Sequence, residues 1–222
     1  MMNYEQARFN MVEQQIRPWS VLDDTVLQTL GSIPREKFVP DDLKSLAYAD
    51  IEIPIAHGES MMFPRMEGRM LQELEIDIND VCLEVGTGSG FVTACMAMMG
   101  KHVHSIDIHD DLLQGASEVL AENNIANVLL ENKDAFSVFD KQSAVTKTYD
   151  AIAVTGSLVE YMPIFERLLK PQGRLFIVVG SGQTMHAMKV VRDENNKFTR
   201  TSLFETKLKS LVGIEITPSF QL

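Results

Sequence analysis

The run Val81-Cys-Leu-Glu-Val-Gly-Thr-Gly-Ser-Gly90 constrains the fold more than any other stretch, because a short apolar segment leads directly into three glycines spaced two apart. Val81 to Val85, interrupted only by Glu84, has the length of a buried strand, and Phe91 to Met99 suits a buried helix. Strand, turn and helix in that order open an α/β sheet. The glycines let the backbone take positive φ and let a ligand approach the main chain. Their spacing restricts the ligand. A dinucleotide turn needs Gly or Ala where this chain has Phe91, and a phosphate-binding loop needs a Lys-Ser/Thr pair that is absent here. The loop therefore suits a ligand that presents ribose and amino-acid groups in place of phosphates.

Two later strand-like runs add acids. His102 to Asp107 ends in a carboxylate about 20 residues beyond the first glycine, where it can accept both hydroxyls of a ribose. Asn127 to Glu131 leads to Asp134 and Ala135. Loop and acids together resemble the first motifs of class I S-adenosylmethionine-dependent methyltransferases. That resemblance implies S-adenosylmethionine as cofactor, S-adenosylhomocysteine as its product, and no metal. It implies that Glu84 supports the loop, that Gly86, Thr87, Gly88, Ser89 and Gly90 bracket the methionine and ribose parts, that Asp107 with Ile108 holds the ribose, and that Asp134 with Ala135 faces the adenine edge. Thr155 and Gly156, after the fourth strand, are then expected beside the methyl group on the substrate side.

The remaining pattern predicts one α/β methyltransferase domain over 1–222. Residues 1–64 form a helical, lid-like and acceptor-loop region, 65–182 the cofactor-binding core, and 183–222 a C-terminal hairpin and tail. Tyr4, Ala7, Met11, Val12 and Ile16 mark one helical face ending at Arg17-Pro18, and Asp23 or Asp24 is placed to cap a second helix. Both helices are expected to pack as a lid. Pro54, Gly58 and Pro64 break the next segment, and Met66, Met70, Leu71 and Leu74 form a helical face before the glycine strand. Beyond Asp134, Tyr149–Val154 reads as a fourth strand, Glu160–Leu169 as its helix and Gly173–Gly180 as a fifth strand. Alternation of this kind implies a doubly wound, mostly parallel, Rossmann-like sheet. Met185–Arg192 and Phe198–Phe204 flank a turn and predict an antiparallel hairpin at its edge.

Composition narrows the partners. A formal charge of −11, from 31 acids against 20 bases, argues against a sequence-independent grip on nucleic acid, which depends on Lys and Arg. The absence of a basic-then-apolar start and of a bilayer-length apolar run predicts a cytoplasmic protein without a membrane partner. Cys82 and Cys95 lie in buried-strand and buried-helix patterns and are expected to be reduced core thiols. His57, His102, His104, His109 and His186 are dispersed and offer no metal framework.

Several segments around the glycine loop carry a narrower resemblance: Met11-Val-Glu-Gln-Gln-Ile-Arg17, Ile33-Pro-Arg-Glu-Lys-Phe-Val-Pro40, Leu46-Ala-Tyr-Ala-Asp50, Ile53-Pro-Ile-Ala-His-Gly58, Leu83–Gly90, Tyr149–Thr155 and Leu169-Lys-Pro-Gln-Gly-Arg-Leu175. Together they are similar to the protein-L-isoaspartate O-methyltransferase family over nearly the whole chain. The resemblance implies carboxyl methylation of isoaspartyl residues in damaged protein or peptide, with Ser60, Met62, His57 and Thr155 at the acceptor site. The chain departs from the family where chemistry would occur. Against the family's Gly-Gln-Thr-Ile-Ser-x-Pro it reads Gly58-Glu-Ser-Met-Met-Phe-Pro64, so Met62 stands at the serine position and Glu59 at the glutamine. A thioether cannot donate a hydrogen bond, and Glu59 brings negative charge toward a pocket for a carboxylate. Three readings follow: the family's isoaspartyl activity, the same chemistry on another acceptor such as a small molecule, and a cofactor-binding protein without catalysis.

Overall fold

In the computed structural model, which describes residues 3–139, 147–182 and 184–213, the N-terminal amphipathic stretch forms α1 (Tyr4–Met11). Asn3 caps it by accepting from the Gln6 N–H. A wider turn (Val12–Ile16) and a 3-10 turn (Arg17–Trp19) bring the chain to α2 (Asp24–Ser32), capped as expected by Asp23, which accepts from the Val26 N–H at 3.0 Å. Met11, Ile16, Val26 and Leu30 are buried with Met70 and Leu71 of α3 (Pro64–Leu74) and with α4 (Phe91–Met99). This corrects the lid expectation. The turn after α1 packs on α3, the apolar face of α2 packs on α3 and α4, and none of the described residues before Ile55 lines the cleft described below.

A two-stranded ribbon, β1 (Ile53–Pro54) with β2 (Ser60–Met61), precedes the main sheet. That sheet contains β3 (Val81–Val85), β4 (His102–Asp107), β5 (Val128–Asn132), β6 (Tyr149–Leu158), β7 (Leu169–Ser181), β8 (Thr184–Arg192) and β9 (Phe198–Thr206) in the order β5-β4-β3-β6-β7-β8-β9. The first five in that order run parallel, and β7, β8 and β9 pair antiparallel, as the hairpin signal predicted. Residues 214–222 of the expected tail lie outside the described residues.

Period-two alternation covers both faces of the sheet. Cys82, Ala151, Ala153, Phe176 and Val178 join the cluster of α3 and α4, while Leu83, Val85, Ile152, Val154, Leu175 and Ile177 pack on the other face with Ile164, Phe165 and Leu168. Both cysteines are buried free thiols, and burial pushes the Cys82 thiol up to about 12. Helix α5 (Asp110–Glu122) connects β4 to β5, and the short α6 (Ala135–Val138) follows β5.

The helix expected over Glu160–Leu169 does not form; only a 3-10 turn at Glu166–Leu168 is present. Pro163 removes a backbone donor in the middle of this short connection. The spacing of Ile164, Phe165 and Leu168 reflects burial against the sheet, with Glu166 buried beside them and paired to Arg200 at 2.7 Å. Strands β6 and β7 both extend beyond their predicted ends to Leu158 and back to Leu169.

Candidate active-site cleft

Strand β3 lies between β4 and β6, and the chain winds away from it in both directions, so the crevice beyond these strand ends is the topological place for a ligand. A cleft of about 980 Å³, counting its open mouth, lies there. Its floor is the glycine turn from Gly86 to Ser89, with φ of 98° at Gly86 and 52° at Gly88, and Gly90 behind it has φ 83°. Beyond their conformation, two of these glycines are needed for contact. A Cβ on Gly90 would stand 2.9 Å from Cβ of Ala116, and one on Gly86 would overlap the Thr155 hydroxyl. The Gly86 N–H donates to the Ile106 carbonyl at 2.8 Å, which ties the turn to β4.

The acids brace this turn. Asp107, buried at the end of β4, accepts from the Gly88 N–H through one oxygen and the His109 N–H through the other, both at 2.9 Å. Lone pairs remain on each oxygen for hydroxyls of a ligand. Glu84 is fully buried; its Oε2 accepts from the Thr93 hydroxyl and from Ser105 Oγ at 2.6 Å. Burial pushes its carboxyl up to about 8, which favours its protonated form relative to an ordinary carboxylate. Its Oε1 has no partner among the described residues, although Glu84 lines the cleft. Thr87 Oγ1 lies 2.6 Å from Ser105 Oγ, joining the turn to the same network. Asp134 caps α6 by accepting from the Phe136 N–H at 2.9 Å, and Ala135, Ile108 and Phe136 add apolar wall beside it.

The structure brings Ser60, Met62, Glu84, Gly86, Thr87, Gly88, Ser89, Asp107, Ile108, Asp134, Ala135, Thr155 and Gly156 into one cleft wall. Thr155 lines the cleft, and its hydroxyl is turned toward the glycine turn. Its hydroxyl lies 2.8 Å from the Val85 carbonyl and 2.7 Å from that of Gly86, so its proton supports the turn. His57 is not on the wall. It stands outside at φ 59°, stacked parallel to His109 at 3.9 Å and held at 2.7 Å by Asp111 of α5, and His109 takes the lining position instead. Gly90 is not on the wall either: it starts α4 and packs on Ala116.

Other residues were not found from sequence. Arg35, fully buried, pairs with Glu67 of α3, lies 4.6 Å over the Phe91 ring, and donates to the Met62 carbonyl at 2.9 Å. An acid inside the apolar stripe of α3 was the available signal for Glu67. Glu59 does not stand as a bare charge, because Lys209 Nζ lies 2.6 Å from its carboxylate and 2.7 Å from the Gly58 carbonyl. Leu208 to Val212, which close the cleft beside Gly156, follow the last strand without any motif.

A seven-stranded sheet of this order, with a glycine turn, a braced acid after the second strand and a second acid after the third, defines a Rossmann-like methyltransferase. The profile of the Protein-L-isoaspartate(D-aspartate) O-methyltransferase family matches residues 6–215, and the chain belongs to that family. It is 35% identical over 199 residues to the Petrotoga mobilis protein-L-isoaspartate O-methyltransferase, covering 88% of this chain and 92% of that one. It is 33% identical over 198 residues to the Opitutus terrae enzyme of the same name, covering 87% and 83%. In fold it is similar to a Plasmodium falciparum chain crystallised with S-adenosyl-L-homocysteine, with a TM-score of 0.78, 23% identity, and coverage of 95% of this chain and 99% of that one. Among the described residues, no helix is long and apolar enough to cross a membrane.

Proposed function

We propose that this chain transfers a methyl group from S-adenosylmethionine to the free carboxylate of an isoaspartyl residue in a protein or peptide. The observation that carries this reading is the meeting, in one cleft, of the braced glycine turn and the acceptor segment Glu59–Met62. The cleft fits such a cofactor: Gly86 and Gly88 present backbone, Asp107 keeps lone pairs for ribose hydroxyls, the orphaned Glu84 Oε1 seeks a polar partner, and Asp134, Ala135, Ile108 and Phe136 offer an adenine-sized wall. When bound, the cofactor supplies a methyl group on a positively charged sulfur.

The protein's own work is alignment. A carboxylate acceptor is ionised near neutral pH, so no general base is required. Met61 and Met62, each 5% exposed, and Leu211 keep the acceptor end dry, which strengthens the attraction between carboxylate and sulfonium. Arg35 fixes the Met62 carbonyl, and Thr155 fixes the turn. Ser60 is the hydroxyl-bearing residue of the acceptor segment on the wall. Incubation with labelled S-adenosylmethionine and an isoaspartyl peptide is expected to yield a base-labile methyl ester; no ester at millimolar peptide overturns the reading.

The buried thioether of Met62 favours a second reading, in which the methyl group goes to a different acceptor: a hydroxyl, an amine or a small-molecule acid. A lost neutral hydrogen bond costs about 0.5–1.5 kcal/mol, roughly one decade in rate, so Met62 alone is compatible with isoaspartyl turnover. Under the second reading Met62→Ser with Glu59→Gln raises isoaspartyl activity at least about tenfold. A rate unchanged in the double variant counts against it.

A further inference from the structure

The cleft is lined by Glu59, Glu67, Glu84, Asp107 and Asp134, yet the proposed acceptor is an anion. Glu67 is paired with Arg35, and burial raises the Glu84 carboxyl toward its protonated form, but a carboxylate entering this cleft still needs a cation. Among the described residues, two lysines line the wall. Lys133 sits beside Asp134, at the end expected for adenine, and is held 2.9 Å from Glu131. Lys209 sits on the acceptor side, paired across the mouth to Glu59, a residue 150 positions away in sequence.

The backbone at Lys209 is fixed, and its Nζ is held at the mouth by the Glu59 carboxylate at 2.6 Å and the Gly58 carbonyl at 2.7 Å. The Lys209 carbonyl accepts from the Ser157 N–H at 2.8 Å, the Leu211 N–H donates to Ser157 at 3.0 Å, and the Ser157 hydroxyl donates to the Leu208 carbonyl at 2.9 Å. Ser157 directly follows Gly156 on β6, so the Lys209 backbone is anchored next to the acceptor end of the cleft. The lysine side chain is 47% exposed and that of Glu59 23% exposed. An ion pair that open to solvent contributes little, so its exchange for another carboxylate costs little.

We infer that Lys209 is the carboxylate-recognising residue of the acceptor site, held ready by Glu59, which the acceptor's carboxylate replaces on binding. Glu59 is thus an internal stand-in for the acceptor. Lys209 is a specificity-determining cation, and the Glu59 and Lys209 pair compensates for an acid at this position. The inference rests on the proposed carboxylate acceptor and identifies the group that reads it.

Calorimetry on protein loaded with S-adenosylhomocysteine measures acceptor binding without turnover. The ligands are an isoaspartyl peptide and the same peptide with that carboxylate amidated. Wild-type protein is expected to bind the acid about tenfold more tightly than the amide, Lys209→Met to abolish that preference, and Lys209→Arg to keep most of it. Glu59→Gln is expected to tighten the acid about threefold by removing the competing carboxylate. Equal affinity for acid and amide in the wild type, no measurable binding of the acid, or a preference retained in Lys209→Met overturns the inference. Ester formation by the same wild-type preparation is read separately. Carboxylate-selective binding without ester sinks the proposed activity and leaves Lys209 assigned; ester formation with a preference indifferent to Lys209 does the reverse.

Discussion

The two walls of the cleft are built by different means. The glycine-turn wall is held through its own backbone N–H groups by the neighbouring strand β4, Gly86 to the Ile106 carbonyl and Gly88 to the Asp107 carboxylate. The acceptor wall is held by side chains from distant segments: Arg35 to Glu67 and Met62, Glu59 to Lys209. A wall whose backbone is tied directly to the sheet admits little variation, since most changes there disturb the sheet itself. A wall made of long side chains can exchange partners without moving a strand. Glu59 and Met62, the positions at which the sequence reading expects a departure from the family, both lie on the second wall.

The largest expected effect tests how the acceptor wall is anchored. Arg35→Met leaves Glu67 as a buried unpaired carboxylate, which costs about 3–5 kcal/mol of stability. Urea unfolding midpoints measure it. Adding Glu67→Leu is expected to recover most of that loss, while acceptor turnover stays low because the Met62 carbonyl remains without its donor. A loss below about 1 kcal/mol in the single variant would show that this wall does not depend on the pair.

On the opposite wall the sharpest probe is pH. The Glu84 carboxyl is raised in the folded protein from its ordinary 4.5 to about 8, so between those values the native state holds a proton that the unfolded chain has released. Its contribution is therefore fully present below about pH 4.5 and is lost as pH rises through 8, at about 1.4 kcal/mol per pH unit. Glu84→Gln removes this dependence. Relative to wild type the variant is expected to gain stability between pH 5 and pH 8 by urea unfolding, and parallel profiles would show that Glu84 is charged throughout.

Gly86→Ala separates the walls by function. Alanine at φ 98° is strained by about 1–3 kcal/mol, and its Cβ displaces the Thr155 hydroxyl that steadies the turn. Affinity for S-adenosylhomocysteine is expected to fall roughly tenfold to a hundredfold by calorimetry, with the acid-over-amide preference at Lys209 retained. Loss of both together would show that the walls are mechanically one unit.

How far each wall could be read from sequence follows the same division. The glycine turn, Asp107 and Asp134 were readable because strand, turn and acid are local and their spacing is set by the sheet. The direction of the Thr155 hydroxyl was not, since position on a strand end does not say which carbonyl a side chain finds. Lys209 carried no signal, because its partner is 150 residues away and the segment between Leu208 and Val212 has no regular pattern. The connection after β6 was misread as a helix because burial of Ile164, Phe165 and Leu168 mimics helical spacing.

The smallest effect locates the outer boundary of the acceptor wall. His57 keeps a left-handed backbone while stacked on His109, with Asp111 at 2.7 Å, and both members of the ion pair are well exposed. The bond from His57 holds the Asp111 carboxyl below its ordinary range, so the pair's contribution is present above that range and disappears as acid protonates the aspartate. Exposed pairs of this kind add little in any case. Asp111→Asn is therefore expected to change acceptor turnover less than about twofold and leave the melting temperature unaltered, since nothing on the cleft wall loses a partner. A tenfold loss of turnover with unchanged cofactor affinity would extend the acceptor wall outward to the histidine stack, and would restore His57 to the site from which its geometry separates it.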